Sequence, residues 1–135
     1  MKIHTIFFLS EFVLGGAGNS IYKLCKNLPK KNYQISVICI KKCYYKKLFR
    51  KEGIDVYEIN AKRTLFAFFK IKKLLSKLIS KNYKSNIFLS NIHYSNVLSI
   101  LFLRGLKLKI CLIERTPFQE LDIYYDKIDF IKKII

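Results

Sequence analysis

Three glycines, Gly15, Gly16 and Gly18, stand between an apolar run and an amphipathic stretch in "FFLSEFVLGGAGNSIYKL". Glycines at such a junction let backbone approach a ligand closely. A helix starting behind them offers unpaired N–H groups and a partial positive charge, which suits a phosphate. The competing reading is a crowded turn that needs positive φ. A second candidate is His93 in "SNIHYSN", a side chain that titrates near neutrality and can serve as acid or base, or can simply cap or pack a helix start. His4 lies inside an apolar run and is expected to be structural.

Better-known phosphate loops do not fit the letters. There is no G-x-x-x-x-G-K-[ST], so the chain is not a P-loop nucleotidase. The glycine spacing is G-G-x-G, and the next apolar run ends in Lys41 and Lys42 where a dinucleotide enzyme would place Asp or Glu. A phosphorylatable receiver would need several acids after the first strand, and only Glu11 is there.

The elements that must position these residues alternate along the chain. Strands are expected at 3–9, 33–40, 54–60, 86–91 and 107–114, from short apolar or β-branched runs. Helices are expected at 17–28, stopped by Pro29; over "KKCYYKKLFRKEG", a short basic helix closed by Gly53; at 64–82, with Thr64 as N-cap; and at 94–104, ended by Gly105. "RTPFQELDIYYD" is expected as a loop and "KIDFIKKII" as the start of another helix. Strands apolar on both faces belong in a parallel sheet covered on both sides. The fold class is therefore α/β, a Rossmann-like doubly wound parallel sheet of about five strands with helices on both faces, in one domain over 1–135. Ligands of such sheets sit at the carboxyl ends of the strands.

Composition narrows the class further. The 135 residues are 51% hydrophobic and 26% charged, a globular balance with no apolar stretch near the roughly 20 residues that span a bilayer. No signal peptide is expected, because the short N-terminal apolar run meets Glu11 without a small-residue cleavage site. Cys25, Cys39, Cys43 and Cys111 lack paired metal-ligand spacing, so reduced core cysteines and no metal or cofactor are expected. The net charge of +17 draws an anionic partner without naming it, and the Lys, Ile and Asn bias of an AT-rich genome explains part of it.

The stretch "FLSEFVLGGAGNSIYKLCKNLPKKNYQISVICIKK", followed by "SNIHYSNVLSILFLRGLKLKICLIERTP", resembles the N-terminal, acceptor-side domain of family 4 glycosyltransferases of the GT-B fold. The resemblance covers essentially the whole chain, and its more specific parts are the Gly-Gly loop and the E-R-T-P turn. It implies a cytoplasmic transferase that moves a sugar from a nucleotide-sugar donor to a glycan or lipid-linked acceptor in cell-surface polysaccharide synthesis. It also implies that Gly15, Gly16, Gly18 and Asn19 line the cleft, although Asn19 replaces a commoner acidic residue. Many members carry a His after the fifth strand. Here the turn reads Glu114-Arg115-Thr116-Pro117, so Arg115 takes that place. An Arg pairs bidentately with phosphate or carboxylate but is no base near neutral pH, so its role would be electrostatic. Glu114, Arg115 and His93 are then the catalytic candidates, with Thr116 among the substrate-binding residues.

The family also needs a second, donor-binding domain with an E-x₇-E-like motif, and no such motif occurs here. The expectation is an acceptor-side piece, inactive alone, that works with a donor-binding domain on a longer or separate chain. A Lys face on the 64–82 helix, opposite Leu65, Phe68, Phe69, Leu75, Leu78 and Ile79, could lie on the anionic inner face of a membrane. The rival reading is a basic non-enzymatic module for nucleic acid or anionic membrane; nucleic acid is the weaker partner, since no aromatic-bearing RNA-recognition sheet is legible.

Overall fold

The apolar N-terminal run forms strand β1, Ile3–Leu9, the central strand of a five-stranded sheet. In the computed structural model, which describes residues 1–114, the chain continues through α1 (Gly16–Asn27), β2 (Tyr33–Cys39), α2 (Lys46–Lys51) and β3 (Asp55–Glu58). It then forms α3 (Thr64–Leu78), β4 (Ser85–Asn91), α4 (His93–Leu103) and β5 (Lys109–Ile113). All four strand pairings are parallel, in the order β3-β2-β1-β4-β5. The chain therefore runs outward from β1 to β3, returns through α3, and continues outward on the other side of β1.

Alternation along β1 builds two cores. Phe7 and Leu9 face one side with Val37 and Cys39, where Ile21 and Cys25 of α1 and Phe49 of α2 close over them. Ile6 and Phe8 face the other side with Ile38 and Phe88, under Phe68, Ile71 and Leu75 of α3 and Leu98 and Leu103 of α4. Phe8 stacks on Phe88 and meets Phe68 edge-on, at centroid distances of 5.5 and 5.4 Å. The sheet is thus covered on both faces, the Rossmann-like doubly wound arrangement that the strand pattern predicts.

Several boundaries differ from expectation for local reasons. Residues 41–45 are not helical: Cys43 pairs with Phe12 as an isolated bridge, and its N–H donates to Glu58 Oε1 at 2.9 Å. The helix expected to 82 ends at Leu78, where Ile79 is extended and Ser80 Oγ accepts from the Asn82 N–H at 3.1 Å. Thr64 lies just inside α3, and Arg63 occupies the N-cap position. Phe69, expected on the buried side of α3, is 57% exposed and packs edge-on against Phe102 of α4 instead. Cys25, Cys39 and Cys43 are buried as expected, whereas Cys111 is exposed on the edge strand β5. Gly53 and Gly105 hold the positive φ that ends α2 and α4. The loop and helix expected after Glu114 lie outside the described residues.

Candidate functional site at the carboxyl edge

Strand order reverses between β1 and β4, so the connections leaving these two strands diverge to opposite faces and open a crevice. The crevice is bounded on one side by the β1–α1 loop and on the other by the β4–α4 junction. Asn91, wholly buried, ties the two rims together by donating from Nδ2 to Phe8 O at 3.1 Å.

On the β1 side, Gly15 is the N-cap of α1 with fully extended backbone, and no side chain caps the helix. The first intrahelical bond is that of the Asn19 N–H to Gly15 O at 2.9 Å, which leaves the N–H groups of Gly16, Ala17 and Gly18 ahead of it. No acidic residue occupies this first turn, so the helix dipole is unneutralised there. None of the three glycines has positive φ, so none is required by a left-handed turn. They divide by surroundings. A Cβ on Gly15 or Gly16 would meet open space, but one on Gly18 would lie 2.7 Å from Val13 O and 3.1 Å from the Tyr45 ring. Gly18 is a packing glycine that lets α1 settle against its own entry loop, and Gly15 and Gly16 stand at the open rim. Asn19 is exposed beside them.

On the β4 side, Ile92 joins β4 to α4 with φ 79 and ψ 137. A β-branched residue in that region costs on the order of 1–3 kcal/mol, so the surrounding structure must over-determine it. It does so through the end of β5: Ile113 O accepts both the Ile92 N–H, at 3.2 Å, and Asn96 Nδ2, at 3.1 Å. Docking Ile113 there delivers the next residue, Glu114, to the first residue of α4. Glu114 Oε2 lies 3.3 Å from His93 Nδ1, with both side chains partly exposed. The pair borders a cleft of about 260 Å³ whose walls include Asn96, Val97, Ile100 and Leu112. Asn96 is 6% exposed and its Oδ1 has no hydrogen-bond partner among the described residues.

The sheet's carboxyl edge also carries a cleft that the sequence reading missed. Lys42, Lys46, Lys47, Glu58 and Asn60 border a space of about 600 Å³ beyond the ends of β2 and β3. Glu58 pairs with Lys46 and accepts the Cys43 N–H. Those two bonds hold its carboxyl below the usual glutamate range. The signal was present, since the third strand runs directly into Glu58 and Asn60 after a Lys-rich connection. Nearby, a hydrogen bond with Cys43 and burial keep the Cys39 thiol protonated, and burial pushes Cys25 up to about 12, so neither is poised as a nucleophile.

The sequence-derived candidates therefore gather as follows. Gly15, Gly16 and Asn19 stand on one rim of the crevice, and His93 and Glu114 form a contact on the β4–β5 side. Gly18 is withdrawn into packing. Arg115 and Thr116 lie outside the described residues. Chemically, backbone N–H groups and a helix dipole suit an anion, and a carboxylate-oriented imidazole suits a hydroxyl or a proton in transit. Among the described residues no cluster of three or more His, Cys, Asp or Glu could hold a metal ion, and no helix is long and apolar enough to cross a membrane. Comparison with protein-family models and with curated proteins finds no match to this chain, so the site stands on its own geometry.

Proposed function

We propose that this chain supplies the acceptor side of a sugar transferase, the donor nucleotide being held largely by a second domain in the same or a separate chain. The observation that supports this reading is that an uncapped glycine-bearing helix start and the His93–Glu114 pair both stand at the carboxyl edge of the sheet, after β1 on one side of the switch and after β4 on the other. In this reading the amides of Gly16 and Ala17 hold a diphosphate, of a nucleotide sugar or of a lipid-linked acceptor. Glu114 orients the His93 imidazole toward an acceptor hydroxyl. Arg115 and Thr116, which follow Glu114 in sequence and lie outside the described residues, remain the sequence-derived candidates for further anion contacts. The resemblance of the glycine loop and the E-R-T-P turn to family 4 glycosyltransferases supports the same assignment.

A lipid-linked acceptor is the substrate class favoured by the outer surface. Phe66 and Phe69, one helical turn apart on α3, are each 57% exposed, and Leu101 on the adjacent α4 is 67% exposed. Lys70 and Lys73 follow on α3, also exposed. Apolar side chains beside lysines match the boundary between acyl chains and anionic head groups.

Calorimetric titration with a water-soluble short-chain prenyl diphosphate sugar tests the proposal. Saturable binding at physiological salt, abolished by Gly16→Trp, supports it. Absence of binding, or sugar-nucleotide turnover by the chain alone, would overturn the assignment to an acceptor side. Tighter, sequence-dependent binding of an oligonucleotide would favour a nucleic-acid module.

A further inference from the structure

A further cavity lies at the other end of the sheet. About 740 Å³ opens between the segment that follows α3 and the segment that follows α4, at the amino ends of β4 and β5. Each strand of seven residues spans about 20 Å, so this cavity is separated from the His93–Glu114 pair by the thickness of the sheet along its strands. It exists because α3 stops at Leu78 and the chain takes six residues to re-enter the sheet, while Gly105, at φ +93, turns the chain away after α4. The volume is that of a small-molecule site.

Its border is cationic. Lys81, Lys84, Lys107 and Lys109 all line it and are exposed, and among the described residues no Asp or Glu does. The carboxyl ends of α3 and α4 point the same way and contribute about half a negative charge each. Four ammonium groups against roughly one unit of negative charge leave a strong positive excess. Lysines that share one concavity repel one another, and a bound anion relieves that repulsion. The base supplies the opposite polarity. Asn86 lines the cavity at 8% exposure, and its Oδ1 has no hydrogen-bond partner among the described residues. Its neighbour His4 feels the carboxamide, which favours the protonated ring. Tyr83, its ring tilted by 40° at 4.8 Å from His4, adds an aromatic wall.

We propose that this amino-edge cavity is a second binding site, for a small ligand that carries a multiply charged phosphate group. The lysines take the phosphate oxygens as point charges. The site is independent of the acceptor reading, since it shares no residue with the carboxyl edge.

Two-dimensional amide NMR of the chain at physiological salt, titrated with sodium pyrophosphate and separately with ribose 5-phosphate, tests this. The expected result is saturable shifts confined to residues 80–86 and 105–109. Lys84→Ala and Lys109→Ala should each weaken binding about 2–5-fold, and the double variant about 5–20-fold. Lys70→Glu with Lys73→Glu, an even larger charge change outside the cavity, should leave the localised shifts in place. Unsaturable shifts spread over every lysine-rich surface, or an equal loss in the Lys70/Lys73 variant, would show only diffuse attraction and overturn the site.

Discussion

His93 Nδ1 and Glu114 Oε2 lie 3.3 Å apart although 21 residues separate them, because Ile113 O is held by both Ile92 and Asn96. The contact joins the first turn of α4 to the end of β5. Both side chains are partly exposed, so the pair adds only about 0.2–1 kcal/mol to stability. His93→Ala and Glu114→Ala should therefore leave the melting temperature within a few degrees of the parent. Each should weaken acceptor binding about 5–10-fold, and the double variant should lose less than the product of the two. A calorimetric double-mutant cycle measures this; strict additivity would mean the two residues act separately.

The three glycines should part company on substitution. Gly18→Ala drives a Cβ to 2.7 Å from backbone Val13 O, which cannot yield cheaply, and should cost about 1–3 kcal/mol. Gly16→Ala meets open space inside a helix and should be neutral or stabilise by up to about 1 kcal/mol. Chemical denaturation of the two variants decides the matter. A stability loss at Gly16 as large as at Gly18 would make the whole loop a packing device.

Acid should weaken the fold in two separate steps. His4 is 2% exposed, and desolvation lowers its pKa from 6.5, opposed in part by Asn86. The unfolded chain then binds the proton more readily, so stability is full above about pH 6.5 and declines as pH falls toward the folded value. Glu58 behaves separately: Lys46 and the Cys43 N–H lower its pKa from 4.5, so its contribution is intact above that pH and disappears as pH falls through its folded value. Denaturation midpoints from pH 8 to 3 should show both declines. His4→Gln should remove the upper one and Glu58→Gln the lower one.

Membrane contact should run through α3 and α4. Phe66→Ser combined with Leu101→Ser removes two exposed apolar side chains and should lower partition onto vesicles containing anionic lipid about tenfold, without altering stability. Co-sedimentation at low and physiological salt measures it. Binding that depends only on salt and ignores these two residues would be charge attraction alone.

The fold was legible because its determinants are local. β-branched runs made β2, Pro29 and Gly105 ended helices, and apolar residues on both strand faces required two covering layers. What stayed hidden depends on contacts distant in sequence. Cys43 is drawn out of a helical pattern by Phe12 and Glu58, and Phe69 is turned outward onto Phe102. The site was half legible: the glycine loop, His93 and Glu114 drew notice by type and position. That Gly18 packs while Gly15 and Gly16 face open space depends on Tyr45, 27 residues on, and no local spacing encodes it.

The central claim is that the crevice at the β1–β4 switch holds a diphosphate-bearing sugar ligand. Amide NMR of the chain titrated with a short-chain prenyl diphosphate sugar addresses it most directly. Saturable shifts are expected at Gly15, Gly16, Ala17 and His93, lost in Gly16→Trp while the spectrum stays that of a folded protein. Shifts that bypass these residues, or that persist unchanged in Gly16→Trp, would contradict it.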